Sequence, residues 1–433
     1  MSQHDISLQA CLKELYNLRR FGIKLELGTI RRMLAGLGNP QDRFKTVHIA
    51  GTNGKGSVAA TLYAILMEAG YSVGMYTSPH LIQFNERIAI DGQLATDDEI
   101  LEAYLAVRSI VSGKREPTFF EYTTAMAFSV FAKREVDWVV VETGMGGRMD
   151  ATNVIVPAVS VITNVTLEHQ QYLGRTLEDI AWEKGGIIKK GIPVVTGASQ
   201  PRVLSVLQAI ADIRRSELFR LNTDFKIRKR PDGTVTYRGM DHTWAGLELQ
   251  LVGDHQLKNA ALSLATCELL REKRVLIDER SIREGLRHTR WPGRLEIVRH
   301  SPELILDGAH NLDAARTLAK HLETAYAGRD ITLVIGILSD KPYEKILKIL
   351  VPLCKRVICT RPKIDRALPV ETIENISRKM VSDVITVPKV DRAVQTALEK
   401  AKSNDVICVA GSLYVIGEAK AWLDGVQPAM GPI

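Results

Sequence analysis

Short apolar runs rich in β-branched residues alternate with amphipathic stretches along nearly the whole chain. "KTVHIAG" from Lys45, "YSVGMYTS" from Tyr71, "VDWVVVETG" from Val136, "AVSVITNV" from Ala158 and "IPVVTG" from Ile192 have strand length and end in turn residues. Helical periodicity fills the gaps, as in Ser57–Ala69 and Thr123–Arg134. Uninterrupted apolar strands separated by helices predict a parallel sheet covered on both faces. From Phe225 the pattern changes. "FKIRKRPDGTVTYRG" and "LELQLVG" alternate with period two around Asp232-Gly233, which predicts an antiparallel hairpin set at about 225–251. An amphipathic helix over "HQLKNAALSLATCELLREK" and a second over "DERSIREGLRHT", capped near Asp278, follow.

After "WPGRLEIV", Trp291 to Val298, the alternation starts again. "ELILDGAH", "DITLVIGIL", "RVICTRP", "DVITVP" and "DVICVAGS" read as strands with helices between them. The expected organisation is a parallel-sheet α/β domain over residues 1–296, carrying the small hairpin segment, and a smaller α/β domain over residues 297–433. The length, 433 residues, suits two domains.

Charged residues make up 25% of the chain, and no apolar run is long enough for a bilayer. The first twenty residues mix charged and apolar positions and show no signal peptide. Five scattered cysteines, with no C-x-x-C, read as reduced core thiols of a cytoplasmic protein. The net charge of +7 is spread over the chain. Short basic groups such as "IRKRP" read as a solvated hairpin and do not suggest nucleic acid. A basic protein favours polyanionic small molecules.

The stretch "TVHIAGTNGKGSVAATL" carries the candidate chemistry. Gly51, Gly54 and Gly56 follow a strand and precede a helix, so backbone amides and a helix N-terminus converge where a phosphate would sit. Lys55 supplies a point charge for the β/γ-phosphates and Ser57 a hydroxyl for magnesium. The spacing is not G-x-x-x-x-G-K-[ST], because Gly56 separates Lys55 from Ser57. Glu142 ends a buried strand, a position suited to holding magnesium beside such a loop. His169, after another strand, has no assignment on its own.

"GTNGKGS" resembles the nucleotide loop of the Mur-ligase superfamily, whose members join an amino acid to a carboxylate at the expense of ATP. With "YTSPHLIQFNERI", "TFFEYTTAMAF", "ETGMGGRMDATN", "TLEHQQYLG", "EKGGIIKKGIPVVTG", "QLKNAALSLA", "WPGRLE", "DGAHN" and "GSLYVIGEA", nearly the whole chain is similar to the folylpolyglutamate synthase/dihydrofolate synthase family of that superfamily. The resemblance implies a P-loop-containing, Mur-ligase-like central domain with a parallel sheet, plus a smaller C-terminal Rossmann-like α/β domain. It implies glutamate addition to dihydropteroate or reduced folates through an acyl phosphate, with ATP, a pair of magnesium ions and potassium as cofactors. The expected partners are small molecules (pterin or folate, L-glutamate, ATP), with no nucleic acid and no membrane, in a monomer.

By the same resemblance Thr52, Asn53, Gly54, Lys55, Gly56 and Ser57 hold ATP. Asn259 reaches the base, Arg294 the phosphates, and Asp307 and His310 close over the nucleotide from the second domain. The metals fall to Ser57, Glu142, His169, Ser78 (with Thr77 as the alternative) and Lys184 as its N6-carboxylated form. A carbamate suits hard cations where an ammonium would be repelled. Lys55, Lys184 and His310 are the catalytic candidates. On the substrate side stand "LELG" from Leu25, with Leu27 and Gly28, and Phe120, Glu121 and Arg148. An aromatic such as Phe120 is otherwise most often plain core. Glutamate is expected near "DGAHN".

Some positions depart from the family's habit: Glu168 for Asp, Leu312 for Pro, Thr143 for Val and Met145 for Leu. These swaps bear on substrate preference more than on ATP use. The rival readings are a cell-wall Mur ligase and a P-loop nucleotide switch without ligase chemistry.

Overall fold

The structure, a computed structural model, describes residues 7–18, 26–111 and 115–426. Contacts divide it into two units, one of Met1–His80, Phe84–Gln250 and His255–Arg290, the other of Leu81–Gln83, Leu251–Asp254 and Trp291–Ile433.

The first unit is built on eight strands: β1 (Lys45–Ala50), β2 (Val73–Tyr76), β3 (Ile88–Ile90), β4 (Gln93–Leu94), β5 (Trp138–Glu142), β6 (Val159–Ile162), β7 (Val194–Thr196) and β8 (Leu218–Arg220). Their order is β4-β3-β2-β5-β1-β6-β7-β8. From β2 to β8 the pairing is parallel, while β3 and β4 form an antiparallel edge. Every residue of β5 is buried, because helices cover both faces of the sheet. One face packs Tyr76, Val139 and Val141 against Met126, Phe128 and Phe131 of the helix Phe119–Lys133.

That helix begins one turn earlier than the periodicity of Thr123–Arg134 indicates. Thr118 and Glu121 form a capping box, and this local signal extends the helix beyond the amphipathic stripe. The glycine loop is likewise followed by helix from Lys55. The helix Asp254–Glu272 is buried from Asn259 through Leu270 without a break, so it is a central helix and not an amphipathic one. Asp278 caps the helix Glu279–His288, accepting from the Ser281 N–H.

The hairpin segment is an antiparallel three-stranded sheet, β9 (Lys226–Lys229), β10 (Val235–Arg238) and β11 (Thr243–Leu247), in the order β11-β10-β9. The buried Glu268 carboxylate fixes it to the central helix. It accepts from the Tyr237 hydroxyl at 2.6 Å and from the N–H groups of Met240 and His242 at 3.1 and 2.7 Å.

The second unit holds six strands: β12 (Glu296–His300), β13 (Glu303–Leu306), β14 (Ile331–Ile335), β15 (Arg356–Cys359), β16 (Asp383–Thr386) and β17 (Val406–Ala410). They run in the order β12-β13-β17-β14-β15-β16, with β12 alone antiparallel. The five cysteines are free and buried. Among the described residues no helix is long and apolar enough to cross a membrane.

Candidate active site

β1 lies between β5 and β6, and its last residues give way to the glycine loop at the carboxyl end of the sheet, where open α/β sheets bind ligands. Strand register sets Ile49 level with Glu142, so the loop emerges beside that carboxylate. On the other side it is laced to the segment after β6. The Asn53 N–H donates to Asn164 Oδ1 at 2.9 Å, the Thr163 hydroxyl donates to the Asn53 carbonyl at 2.7 Å, and the Thr166 N–H reaches Thr52 Oγ1 at 3.1 Å. The loop is held from two strands, which suits a rigid cradle.

Gly54 is the N-cap of the helix Lys55–Glu68, at φ 87°, and no side chain caps that helix. The N–H groups of its first turn therefore lack an intrahelical acceptor and form a site of anion-binding character. A Cβ on Gly54 would lie 2.4 Å from Asn259 Oδ1. This close approach brings Asn259, distant in sequence, against the loop itself.

Lys55 folds back over the loop, donating to the Thr52 carbonyl at 3.4 Å, and its Nζ lies 3.6 Å from Glu142 Oε1. The Ser78 N–H donates to Glu142 Oε2 at 3.3 Å, so the segment after β2 reaches the same carboxylate. Lys184, on the helix Leu177–Gly185, is buried, and its Nζ has no hydrogen-bond or ion-pair partner among the described residues. Burial first, and then the Lys55 charge, lower its pKa to about 7, against the opposing pull of Glu168 and Asp150. A buried amine that is substantially uncharged near neutrality fits carboxylation by CO2.

His169 takes a left-handed conformation, φ 51°, at the head of the short helix Gln170–Leu173, with Nε2 3.8 Å from Glu168 Oε1. Ser57 is buried in the first turn after the loop. Among the described residues no group of three or more His, Cys, Asp or Glu side chains could hold a metal ion. The candidate set contains two such residues, Glu142 and His169, and draws its other donors from hydroxyls and Lys184.

On the substrate side, the half-buried Phe120 ring stacks on Tyr76 at 6.0 Å between centroids. A Cβ on Gly144 would meet its Cζ at 2.6 Å, so glycine at 144 is what admits the ring two residues past Glu142. Glu121 is buried and engaged, capping Thr118 and pairing with Arg115 at 3.1 and 3.2 Å. Arg148 is exposed and binds Glu183 Oε1 through a terminal guanidinium nitrogen at 2.8 Å. Leu27 and Gly28 open the helix Gly28–Gly36. Leu25 lies outside the described residues.

In the second unit, Asp307 is buried just past the end of β13. It accepts from the Leu295 N–H at 2.9 Å and the Ala309 N–H at 3.0 Å. Burial raises its pKa, while the Arg294 charge opposes the rise. His310 Nδ1 lies 2.8 Å from the Gly308 carbonyl, which as an acceptor assigns the proton to Nδ1. Asn311 caps the helix Leu312–Ala325.

Sequence reasoning missed Asp150, Thr163, Asn164 and Arg115. Asp150 accepts from the N–H groups of Met145 and Thr152 at 2.9 and 3.0 Å and shapes the loop after β5. Thr163 and Asn164 stand in "ITNVTLEH", where polar residues directly after an apolar strand are the available signal.

Residues 49–267 match the Mur ligase middle domain, and residues 293–413 the Mur ligase glutamate ligase domain. A Bacillus subtilis dihydrofolate synthase/folylpolyglutamate synthase is 36% identical over 416 residues, covering 93% of this chain and 95% of that protein. An Escherichia coli FolC structure with DHPP and ADP superposes with a TM-score of 0.90 at 31% identity, covering 98% of this chain and 99% of that one. A Yersinia pestis bifunctional folylpolyglutamate synthase/dihydrofolate synthase with AMPPNP and Mn ion gives 0.88 at 30%, covering 98% and 100%.

Proposed function

The chain belongs to the Mur-ligase superfamily, in its dihydrofolate synthase/folylpolyglutamate synthase family, and on that premise we propose that it adds L-glutamate to dihydropteroate, to reduced folates, or to both, using ATP. The acceptor carboxylate attacks the γ-phosphorus of ATP and expels ADP, giving an acyl phosphate. The glutamate amine then attacks the acyl carbon, and phosphate leaves as the amide forms. The observation that carries this reading is the Lys55–Glu142 pair at the carboxyl end of the sheet, beside an uncapped helix N-terminus, with the Lys55 charge also acting on the buried Lys184.

In this reading Thr52 through Ser57 cradle the triphosphate, with Lys55 opposing the charge that builds on the transferred phosphoryl group. Glu142, His169, Ser57, Ser78 and carboxylated Lys184 would hold magnesium, which when bound neutralises phosphate charge and orients the oxygens. Asn259, against Gly54, faces the nucleotide. Arg294, Asp307 and His310 serve from the second unit. Phe120 offers a wall for the acceptor's ring system, and Leu27, Gly28, Glu121 and Arg148 shape its surroundings. From the same kinship we infer two magnesium ions, a potassium ion, a monomer and a cytoplasmic setting, the last supported by five free buried cysteines.

The test is phosphate release with ATP and glutamate, in the presence and absence of dihydropteroate or a reduced folate. Acceptor-dependent release supports the ligase. Release indifferent to both acceptors overturns it.

A further inference from the structure

Two helices begin side by side in the first unit, and one guanidinium joins them. Arg115 pairs with Glu121 in a bidentate fashion, at 3.1 Å to Oε1 and 3.2 Å to Oε2. It also pairs with Glu26 Oε1 at 2.6 Å and donates to the Thr29 hydroxyl. Glu26 and Thr29 flank Leu27 and Gly28 at the start of the helix Gly28–Gly36, whereas Glu121 lies in the first turn of the helix Phe119–Lys133. Thr29 and Glu121 are both buried.

The second helix carries Phe120, whose ring lies against Gly144, two residues beyond Glu142. Leu27 and Phe120 pack against the same apolar cluster. We propose that Arg115 is a positioning residue, which by tying Glu26 and Thr29 to Glu121 sets the placement of Leu27 relative to Phe120 and so the fit of the aromatic acceptor. This rests on the acceptor assignment above. Its physical basis is independent of that assignment. A planar guanidinium with a forked carboxylate partner fixes direction as well as distance, which lysine does not reproduce.

The test uses the full chain with Arg115→Gln and Arg115→Lys. Amide hydrogen exchange should quicken at least fivefold in residues 26–36 and 118–122 of Arg115→Gln and stay unchanged in residues 51–58. In steady state, KM for dihydropteroate should rise tenfold or more while KM for ATP and kcat stay within twofold. Arg115→Lys should recover little of the KM change, and guanidinium ion added to Arg115→Gln should recover part of it. Unchanged exchange at both helix starts overturns the clamp. Altered exchange with acceptor and ATP constants moving together overturns its acceptor-specific role. If the wild-type chain shows no acceptor-dependent turnover, the functional reading fails, and the exchange measurement still decides the clamp.

Discussion

The Lys55 ammonium lies 3.6 Å from the Glu142 carboxylate, one at the head of the helix after β1 and the other at the tail of β5. The pair is mostly screened from water, and each partner is also the group that the reaction would recruit elsewhere, Lys55 to phosphate and Glu142 to metal. Glu142→Gln removes the charge with little change in shape. Turnover should fall by roughly three orders of magnitude, as for loss of a major electrostatic group. ADP affinity without divalent metal should hold or tighten, because Lys55 is released, while the gain from magnesium should vanish. Calorimetric titration with ADP, with and without magnesium, checks this; weaker metal-free binding contradicts it.

Gly54→Ala meets two obstacles, a left-handed backbone and the Asn259 side chain 2.4 Å away. The backbone strain alone costs about 1–2 kcal/mol. Nucleotide affinity should drop at least tenfold, and Gly54→Ala with Asn259→Ala should melt higher than Gly54→Ala alone. ADP titration and thermal melting read the two effects.

Lys184→Ala should lose turnover by about a hundredfold or more and regain part of it with acetate. Removing CO2 should slow the wild-type chain, and bicarbonate should restore it. Full activity in the variant would eliminate the carbamate.

Lys189 supplies a pH signature away from the site. Burial, then Arg214 and Arg31, hold its pKa at about 8, against an ordinary value of 10.5. Between these values the unfolded chain binds more protons than the folded one, so this group's contribution to stability rises with pH across the window and its penalty is complete below pH 8. Lys189→Met should cancel that rise, on the order of 2 kcal/mol. Melting temperatures of both proteins at pH 7.5, 8.5 and 9.5 should show the difference between them changing in that direction.

Glu268→Ala strands the Tyr237 hydroxyl and the N–H groups of Met240 and His242. The Tyr237 hydroxyl is buried, and leaving it unpaired costs about 1–3 kcal/mol, while the part-buried N–H groups lose their shared acceptor. Limited proteolysis should cut first within residues 226–247. Cleavage at wild-type rates would show that packing alone holds this sheet.

The strands at Lys45, Tyr71, Val136, Ala158 and Ile192 are legible because a doubly covered strand must be apolar throughout, whatever it pairs with. The start of the helix at Phe119 is not marked by apolar periodicity, and its only local signal is the capping box of Thr118 and Glu121, which lies outside the amphipathic stripe. The role of Glu121 is obscured for a related reason: whether a carboxylate meets a ligand or an arginine depends on what packs beside it. The central helix reads as amphipathic because small residues such as Ala260, Ala261 and Ala265 signal burial less strongly than large apolar ones.

The order of strands and helices, the glycine-spaced loop and its lysine, and kinship to a ligase family follow from the sequence alone, since backbone preference and apolar periodicity are local properties. Tertiary structure alone decided that Ile49 stands level with Glu142, that Asn259 closes on Gly54 and that Lys184 is buried without a partner among the described residues. Those relationships come from strand register and from packing between segments far apart in the chain, and no local pattern encodes the distance between two such groups.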